Sequence, residues 1–210
     1  MKDIGIYIHM PFCKQKCYYC DFVSYSGAEN LIEEYIRKLN KELNTELLKI
    51  KNYNVKTIYI GGGTPSLCSK EDFEKIDIKK YVMKDTEFTI EINPGSASYE
   101  KLKLYKEIGV NRLSIGMQST NNKILKEIGR IHTYEEFLEI YQMARNLEYK
   151  NINVDVMIGL PNQSVDDVEE TIKKVVNLNP EHISVYSLIL EEGTKLEKLV
   201  EEGILKLPSE

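Results

Sequence analysis

Ile4-Gly5-Ile6-Tyr7-Ile8-His9-Met10-Pro11-Phe12-Cys13-Lys14-Gln15-Lys16-Cys17-Tyr18-Tyr19-Cys20-Asp21-Phe22 sets an apolar, β-branched run directly before a loop with three of the chain's four cysteines. The run Ile4–His9 reads as a strand, and five more of the same kind follow: Thr57–Ile60, Phe88–Ile92, Arg112–Ile115, Asn153–Met157 and His182–Tyr186. Between them lie apolar positions at helical spacing, as in Leu31, Ile32, Tyr35, Ile36, Leu39, Leu43, Leu47 and Leu48, which place one stripe along a helix face. Three helix starts read as capping boxes: Ser69 with Asp72, Thr133 with Glu136, and Ser164 with Asp167. Six strands, each followed by a helix, predict a parallel α/β fold. Right-handed crossovers then permit an open doubly wound sheet or a barrel, and six units leave a (β/α) barrel incomplete, with a lateral opening. In both architectures a ligand site belongs at the C-terminal ends of the strands.

The cysteine loop falls at such an end. Cys13, Cys17 and Cys20 stand in a Cys-x3-Cys-x2-Cys spacing. Three thiolates so arranged can hold three irons of a [4Fe–4S] cluster and leave the fourth iron open to an exogenous ligand. The competing reading is structural zinc, which takes four closed ligands; the nearest other donor is His9. In a reducing compartment, crowded cysteines serve metal or redox chemistry more often than disulfides. Cys68 stands apart and reads as a small buried hydrophobe.

Composition narrows the function classes. The 210 residues can bury about 70% of the unfolded chain's surface, and 42% apolar with 29% charged residues is a globular mixture. Twenty-eight Lys and Arg against 33 Asp and Glu leave a net charge of −5. That balance argues against an extended nucleic-acid or anionic-membrane surface. No apolar run approaches the roughly 18 residues of a transmembrane segment, and the first residues lack the pattern of a signal peptide. A cytoplasmic protein is expected. The lysine-rich stretches Lys38–Lys51 and Lys101–Lys106 read as solvated helix faces.

Other positions invite both a chemical and a structural reading. Gly61-Gly62-Gly63-Thr64 closes the second strand, where glycines let backbone amides approach a ligand. Glu91, between Ile90 and Ile92, is costly in a buried strand unless paired or hydrogen-bonded; Arg112 on the next strand is the candidate partner. Asp155, between Val154 and Val156, poses the same problem. Gln118, just past the fourth strand, can donate and accept toward a nucleoside or sit in a solvated loop. Arg130 follows a helix and reads as a carboxylate fork or a surface cation. Tyr7 and Tyr19 flank the cysteine loop, His9 and His132 read as hydrogen-bonded structural histidines, and His182 has no assigned role.

Together these strings carry a resemblance. The cysteine spacing with aromatic Tyr19 before the third cysteine is similar to the signature of the radical S-adenosylmethionine (SAM) superfamily. Tyr7-Ile-His9-Met-Pro11-Phe-Cys13, Gly61-Gly62-Gly63-Thr64-Pro65-Ser66, Glu91-Ile-Asn-Pro94-Gly95, Arg112-Leu-Ser-Ile-Gly116-Met-Gln118, Gly129-Arg130-Ile-His132, Asp155-Val-Met-Ile-Gly159-Leu-Pro161 and Tyr186-Ser-Leu-Ile-Leu-Glu-Glu-Gly193-Thr194 cover nearly all of the chain in order. They resemble the branch of oxygen-independent coproporphyrinogen III oxidases and, most closely, its heme chaperones.

The resemblance implies a partial (β/α)6 barrel and assigns roles. Cys13, Cys17 and Cys20 would hold a [4Fe–4S] cluster. Gly62, Gly63 and Thr64 would meet the methionine end of SAM, Glu91 its ammonium group, Arg130 its carboxylate and Asp155 both ribose hydroxyls. Gln118 would face the nucleoside, with Tyr7 and Tyr19 packing on SAM. Reductive SAM cleavage would yield methionine and a 5′-deoxyadenosyl radical, with the electron donor unnamed. The function would be heme binding and transfer to an acceptor, or else decarboxylation of coproporphyrinogen propionates. The oxidases carry a further cysteine two residues past the third; Phe22 stands there, as in the chaperones. Residues 1–210 would form the radical SAM core without the family's C-terminal region, so no heme or tetrapyrrole ligand is named, and the core would expose apolar surface.

Overall fold

The structure, a computed structural model, describes residues 2–49 and 53–208, without the side chain of Leu47. Leu47 of the helical stripe, the end of the Lys38–Lys51 face and the final Ser209-Glu210 lie outside the described residues.

All six apolar runs form strands: β1 Lys2–Met10, β2 Tyr53–Gly62, β3 Glu87–Ile92, β4 Arg112–Gln118, β5 Ile152–Ile158 and β6 His182–Ser187. They make one parallel sheet whose spatial order is the chain order, β1 to β6. A doubly wound sheet reverses its order partway. Here nothing reverses, so right-handed crossovers carry every helix to the same face. The sheet curls into a half-barrel, and among the described residues β1 and β6 are its edges. The partial (β/α)6 barrel is the architecture of this chain.

Period-two alternation then divides each strand. Ile58, Ile60, Phe88, Ile90, Leu113, Ile115, Ile152 and Val154 are almost wholly buried in the core on the convex, helix-covered side. Each such side chain contributes about 1.5–3 kcal/mol. The positions between them, Tyr59, Glu91, Ser114, Asp155 and Ser184, line a cavity on the concave side. A carboxylate flanked by two isoleucines therefore sits on a polar face, not in the apolar core.

The helices are α1 Ile32–Lys49, α2 Lys70–Glu74, α3 Tyr99–Glu107, α4 Asn122–Glu127, α5 Tyr134–Asn146, α6 Val165–Asn177 and α7 Lys195–Glu201. In α1 the stripe is narrower than its sequence suggests. Ile32, Ile36 and Leu43 are buried, but Leu31 and Leu48 are 50% and 63% exposed. Leu31 precedes the helix, and Leu48 lies five positions from Leu43, about 140° around it. All three capping boxes form: the acid's backbone N–H reaches Ser69, Thr133 or Ser164 Oγ, and its side chain accepts from the cap's own N–H. Each cap is worth about 1 kcal/mol.

Candidate functional site

The C-terminal strand ends and the cysteine loop enclose a cavity of about 680 Å³, within the range of small-ligand sites. It gathers every expected site residue except Tyr7. Tyr7 is 58% exposed, and its hydroxyl donates to His9 Nδ1 at 2.9 Å. The reason is its place on β1, an edge strand with no further strand to wall in its concave face.

The cysteine loop is tied down from three directions. Tyr18 donates its N–H to Ile128 O at 2.9 Å and accepts from Leu196 N at 2.8 Å, while Gln15 Nε2 donates to Gly129 O at 3.0 Å. His9 Nε2 donates to Val23 O at 2.7 Å. Both His9 nitrogens are thus engaged, which removes the nearest fourth ligand for zinc. Among the described residues no three His, Cys, Asp or Glu side chains converge closely enough for a single metal ion. All four cysteines are free. Cys13 Sγ accepts from Thr64 Oγ1 at 3.4 Å and Cys17 Sγ from Arg130 Nη1 at 3.5 Å. Burial pushes the Cys20 thiol up. Cys68, fully buried elsewhere, has its thiol pushed up to about 12, chiefly by burial, and acts as an apolar packing residue.

The glycine turn works differently from its sequence reading. Gly62 N–H donates to Glu91 Oε2 at 3.0 Å, Gly63 N–H to Met10 O at 2.9 Å, and Thr64 N–H to Phe12 O at 2.7 Å. These three amides are spent on the fold and are not free for a ligand. A Cβ at Gly63 would lie 2.7 Å from Met10 O and 2.8 Å from Phe12 O, so glycine is required by the close passage of residues 10–12.

Both concave carboxylates are satisfied without a cation. Glu91 Oε1 accepts from Tyr59 Oη at 2.7 Å in addition to the Gly62 bond. The anticipated pair with Arg112 does not form; Arg112 Nη1 instead donates to Thr89 Oγ1 at 3.4 Å. Asp155 accepts from Asn153 Nδ2 at 2.7 Å and Ser114 Oγ at 3.3 Å. Burial is the main force raising both carboxyls above the ordinary range, against the hydrogen bonds that lower them. A ligand donor would complete each group.

Gln118 and Arg130 depart from their bland readings. A register shift between Gly116 and Gln118 bulges β4, and Gln118 takes φ 72° while 4% exposed. Bulges re-aim side chains at such ends; this one turns Gln118 inward, to accept from Tyr186 Oη at 2.8 Å. Arg130 is no surface cation. Its Nη2 donates to Gly116 O at 2.6 Å, and its Nε is buried without a partner. Ion pairs among the described residues use Arg37 and Arg145, leaving Arg130 without a carboxylate. His132 is buried, its Nε2 3.3 Å from Met117 O.

Sequence reasoning missed Tyr59, Ser114, Asn153 and Tyr186, the partners that hold Glu91, Asp155 and Gln118. Asn153 was within reach, two positions before Asp155 and hence on the same face. The others follow only from cross-strand register, which pairs Glu91 with Ser114 and Met157 with Tyr186.

A parallel half-barrel with three free cysteines over its strand ends defines a class. The radical SAM superfamily profile matches residues 7–175, and the chain belongs to that superfamily. Membership implies a [4Fe–4S] cluster and SAM as cofactors. Within the superfamily the chain is 41% identical to the heme chaperone HemW of Bacillus subtilis (strain 168), over 96% of this chain and 55% of that protein. It is 37% identical to HemW of Escherichia coli (strain K12), over 92% of this chain and 53% of that protein. The solved structure of coproporphyrinogen III oxidase (HemN) from Escherichia coli, a radical SAM enzyme, superposes with a TM-score of 0.86 at 25% identity. That match covers 99% of this chain and 49% of the other. The chain spans about half the length of the curated relatives it matches. No helix among the described residues is long and apolar enough to cross a membrane.

The residues fit both cofactors. Three free sulfurs border a cavity that also holds an arginine with an orphaned buried Nε and two carboxylates with room to accept.

Proposed function

We propose that residues 1–210 form a radical SAM core domain of a cytoplasmic heme chaperone, which binds a [4Fe–4S] cluster and SAM, takes up heme and passes it to an acceptor. The observation that carries the cofactor reading is the meeting of Cys13, Cys17 and Cys20 with Glu91, Gln118, Arg130 and Asp155 around one cavity. Cys13, Cys17 and Cys20 would ligate three irons. Arg130 would answer the SAM carboxylate with its unpaired charge. Glu91, held by Tyr59 and Gly62, would accept from the ammonium group, beside Gly62, Gly63 and Thr64. Asp155 would accept from the ribose hydroxyls, Gln118 would present its free amide edge to the nucleoside, and Tyr19 would pack against it. When bound, the cluster supplies the electron that cleaves the sulfonium. The chain's own residues would orient SAM and shield it within the half-barrel.

The heme reading is supported by the identities of 41% and 37% to proteins named heme chaperones. The likeness to HemN keeps coproporphyrinogen oxidation as the second reading. Phe22, 69% exposed at the cavity rim where the oxidases of this branch carry a cysteine, favours the first.

Anaerobic reconstitution with iron and sulfide, followed by SAM and dithionite, tests the core. Iron content near four per chain and release of 5′-deoxyadenosine are expected, and Cys17→Ala should abolish both. A normal cluster in Cys17→Ala overturns the ligand assignment. Heme titration followed by absorbance tests the chaperone reading, and release of carbon dioxide from coproporphyrinogen would instead identify an oxidase.

A further inference from the structure

Arg112 has no part in the site described so far. It opens β4 next to Leu113, which is fully buried on the convex side, so Arg112 projects to the concave side and lines the cavity. Its hydrogen bond to Thr89 Oγ1 is long, 3.4 Å. Ion pairs among the described residues use Arg37 and Arg145 but not Arg112. A guanidinium offers five donors in a rigid fork and keeps its charge in proteins. The neighbouring carboxylates are engaged elsewhere, Glu91 by Tyr59 and Gly62, Asp155 by Asn153 and Ser114.

The other cation lining the cavity, Arg130, bonds Gly116 O. Gly116 lies four residues beyond Arg112 on the same strand, about 13 Å along it. Arg112 Nη1 bonds Thr89, its register partner on β3, whereas Arg130 Nη2 bonds Gly116 O, so the two forks are held at different levels of the cavity.

We infer that Arg112 anchors a second ligand subsite, deeper in the half-barrel than the position assigned to SAM, which takes the carboxylate of an organic ligand. A monoanion suits it: one fork matches one carboxylate, and no lysine lines the cavity to answer the second charge of a phosphate. The ligand is a tetrapyrrole propionate or a small carboxylic acid. The subsite itself does not depend on heme.

The chain has four arginines, so their side-chain Nε–H resonances can be assigned by single Arg→Lys variants of the anaerobically reconstituted protein. Sodium propionate should shift the Arg112 resonance saturably and leave that of exposed Arg37 in place, and propionamide should shift neither. No saturable shift at Arg112, or an equal one at Arg37, overturns the subsite. Heme and its dimethyl ester, titrated by absorbance, identify the source. Should propionates be the natural anion, Arg112→Gln weakens heme about tenfold or more and leaves the diester unchanged. A propionate shift with unchanged heme affinity supports the subsite and assigns it to a smaller acid. Failure of heme to bind at all counts against the chaperone reading and not against Arg112, which the propionate arm decides.

Discussion

The hydroxyl of Tyr186 donates to Oε1 of Gln118 at 2.8 Å, linking β6 to the bulged end of β4 across the intervening β5. Gln118 is buried with a left-handed φ of 72°, a conformation that costs a non-glycine residue about 1–3 kcal/mol. The Tyr186 bond engages the amide oxygen of Gln118, and both side chains line the cavity.

Tyr186→Phe should therefore leave a buried acceptor unpaired and weaken SAM binding about five- to tenfold, with iron content unchanged. The expected loss is about 1–1.5 kcal/mol. Anaerobic calorimetry of the reconstituted variant checks it, and unaltered affinity would separate Gln118 from the nucleoside.

Asp155 is held by Asn153 and Ser114 and keeps accepting capacity toward the cavity. Asp155→Ala should weaken SAM by tenfold or more while the cluster is retained, since charge-assisted hydrogen bonds contribute about 1.5–3 kcal/mol each. Equal SAM affinity in the variant would refute the ribose role.

Gly63→Ala should destabilise the fold by about 1–3 kcal/mol, because the atoms in the way are backbone carbonyls with little freedom to move. Gly27→Ala is the control: its φ is 73°, but nothing lies near the added carbon, so only about 1–2 kcal/mol of left-handed backbone cost is expected. Thermal unfolding ranks the two, and Gly63→Ala should also lose iron, since the Gly63 and Thr64 amides hold the chain entering Cys13.

His132 provides a pH dependence. Burial, with the Arg130 charge beside it, lowers its ring from 6.5 to about 3. Between those values the unfolded chain carries a proton that the native chain lacks, so stability falls as pH drops below 6.5. The slope approaches about 1.4 kcal/mol per pH unit. Glu91 and Asp155, raised by burial, act in the opposite direction, so the comparison is between wild type and His132→Asn. Urea midpoints at pH 7 and pH 5.5 should converge between the two proteins as pH falls. A constant gap would show that His132 does not titrate in this way.

Much of the fold was legible because the signals are local. Strand runs, the three capping boxes and the Cys-x3-Cys-x2-Cys loop all depend on residues a few positions apart, and all appear where expected. The misreadings share one cause. The exposure of Tyr7, the engaged glycine amides and the missing Glu91–Arg112 pair each depend on a neighbouring strand.

The amino-acid order alone determined that this chain makes six parallel strand–helix units and carries three thiolates in one loop, because periodicity and spacing act within a few residues. The tertiary structure decided that the units follow one another without reversal, which leaves a concave polar face. It also brought Arg130 to Cys17 over 113 positions and Tyr186 to Gln118 over 68. Contacts at that range are set by strand register and sheet curvature, where a shift of one residue turns every side chain to the other face.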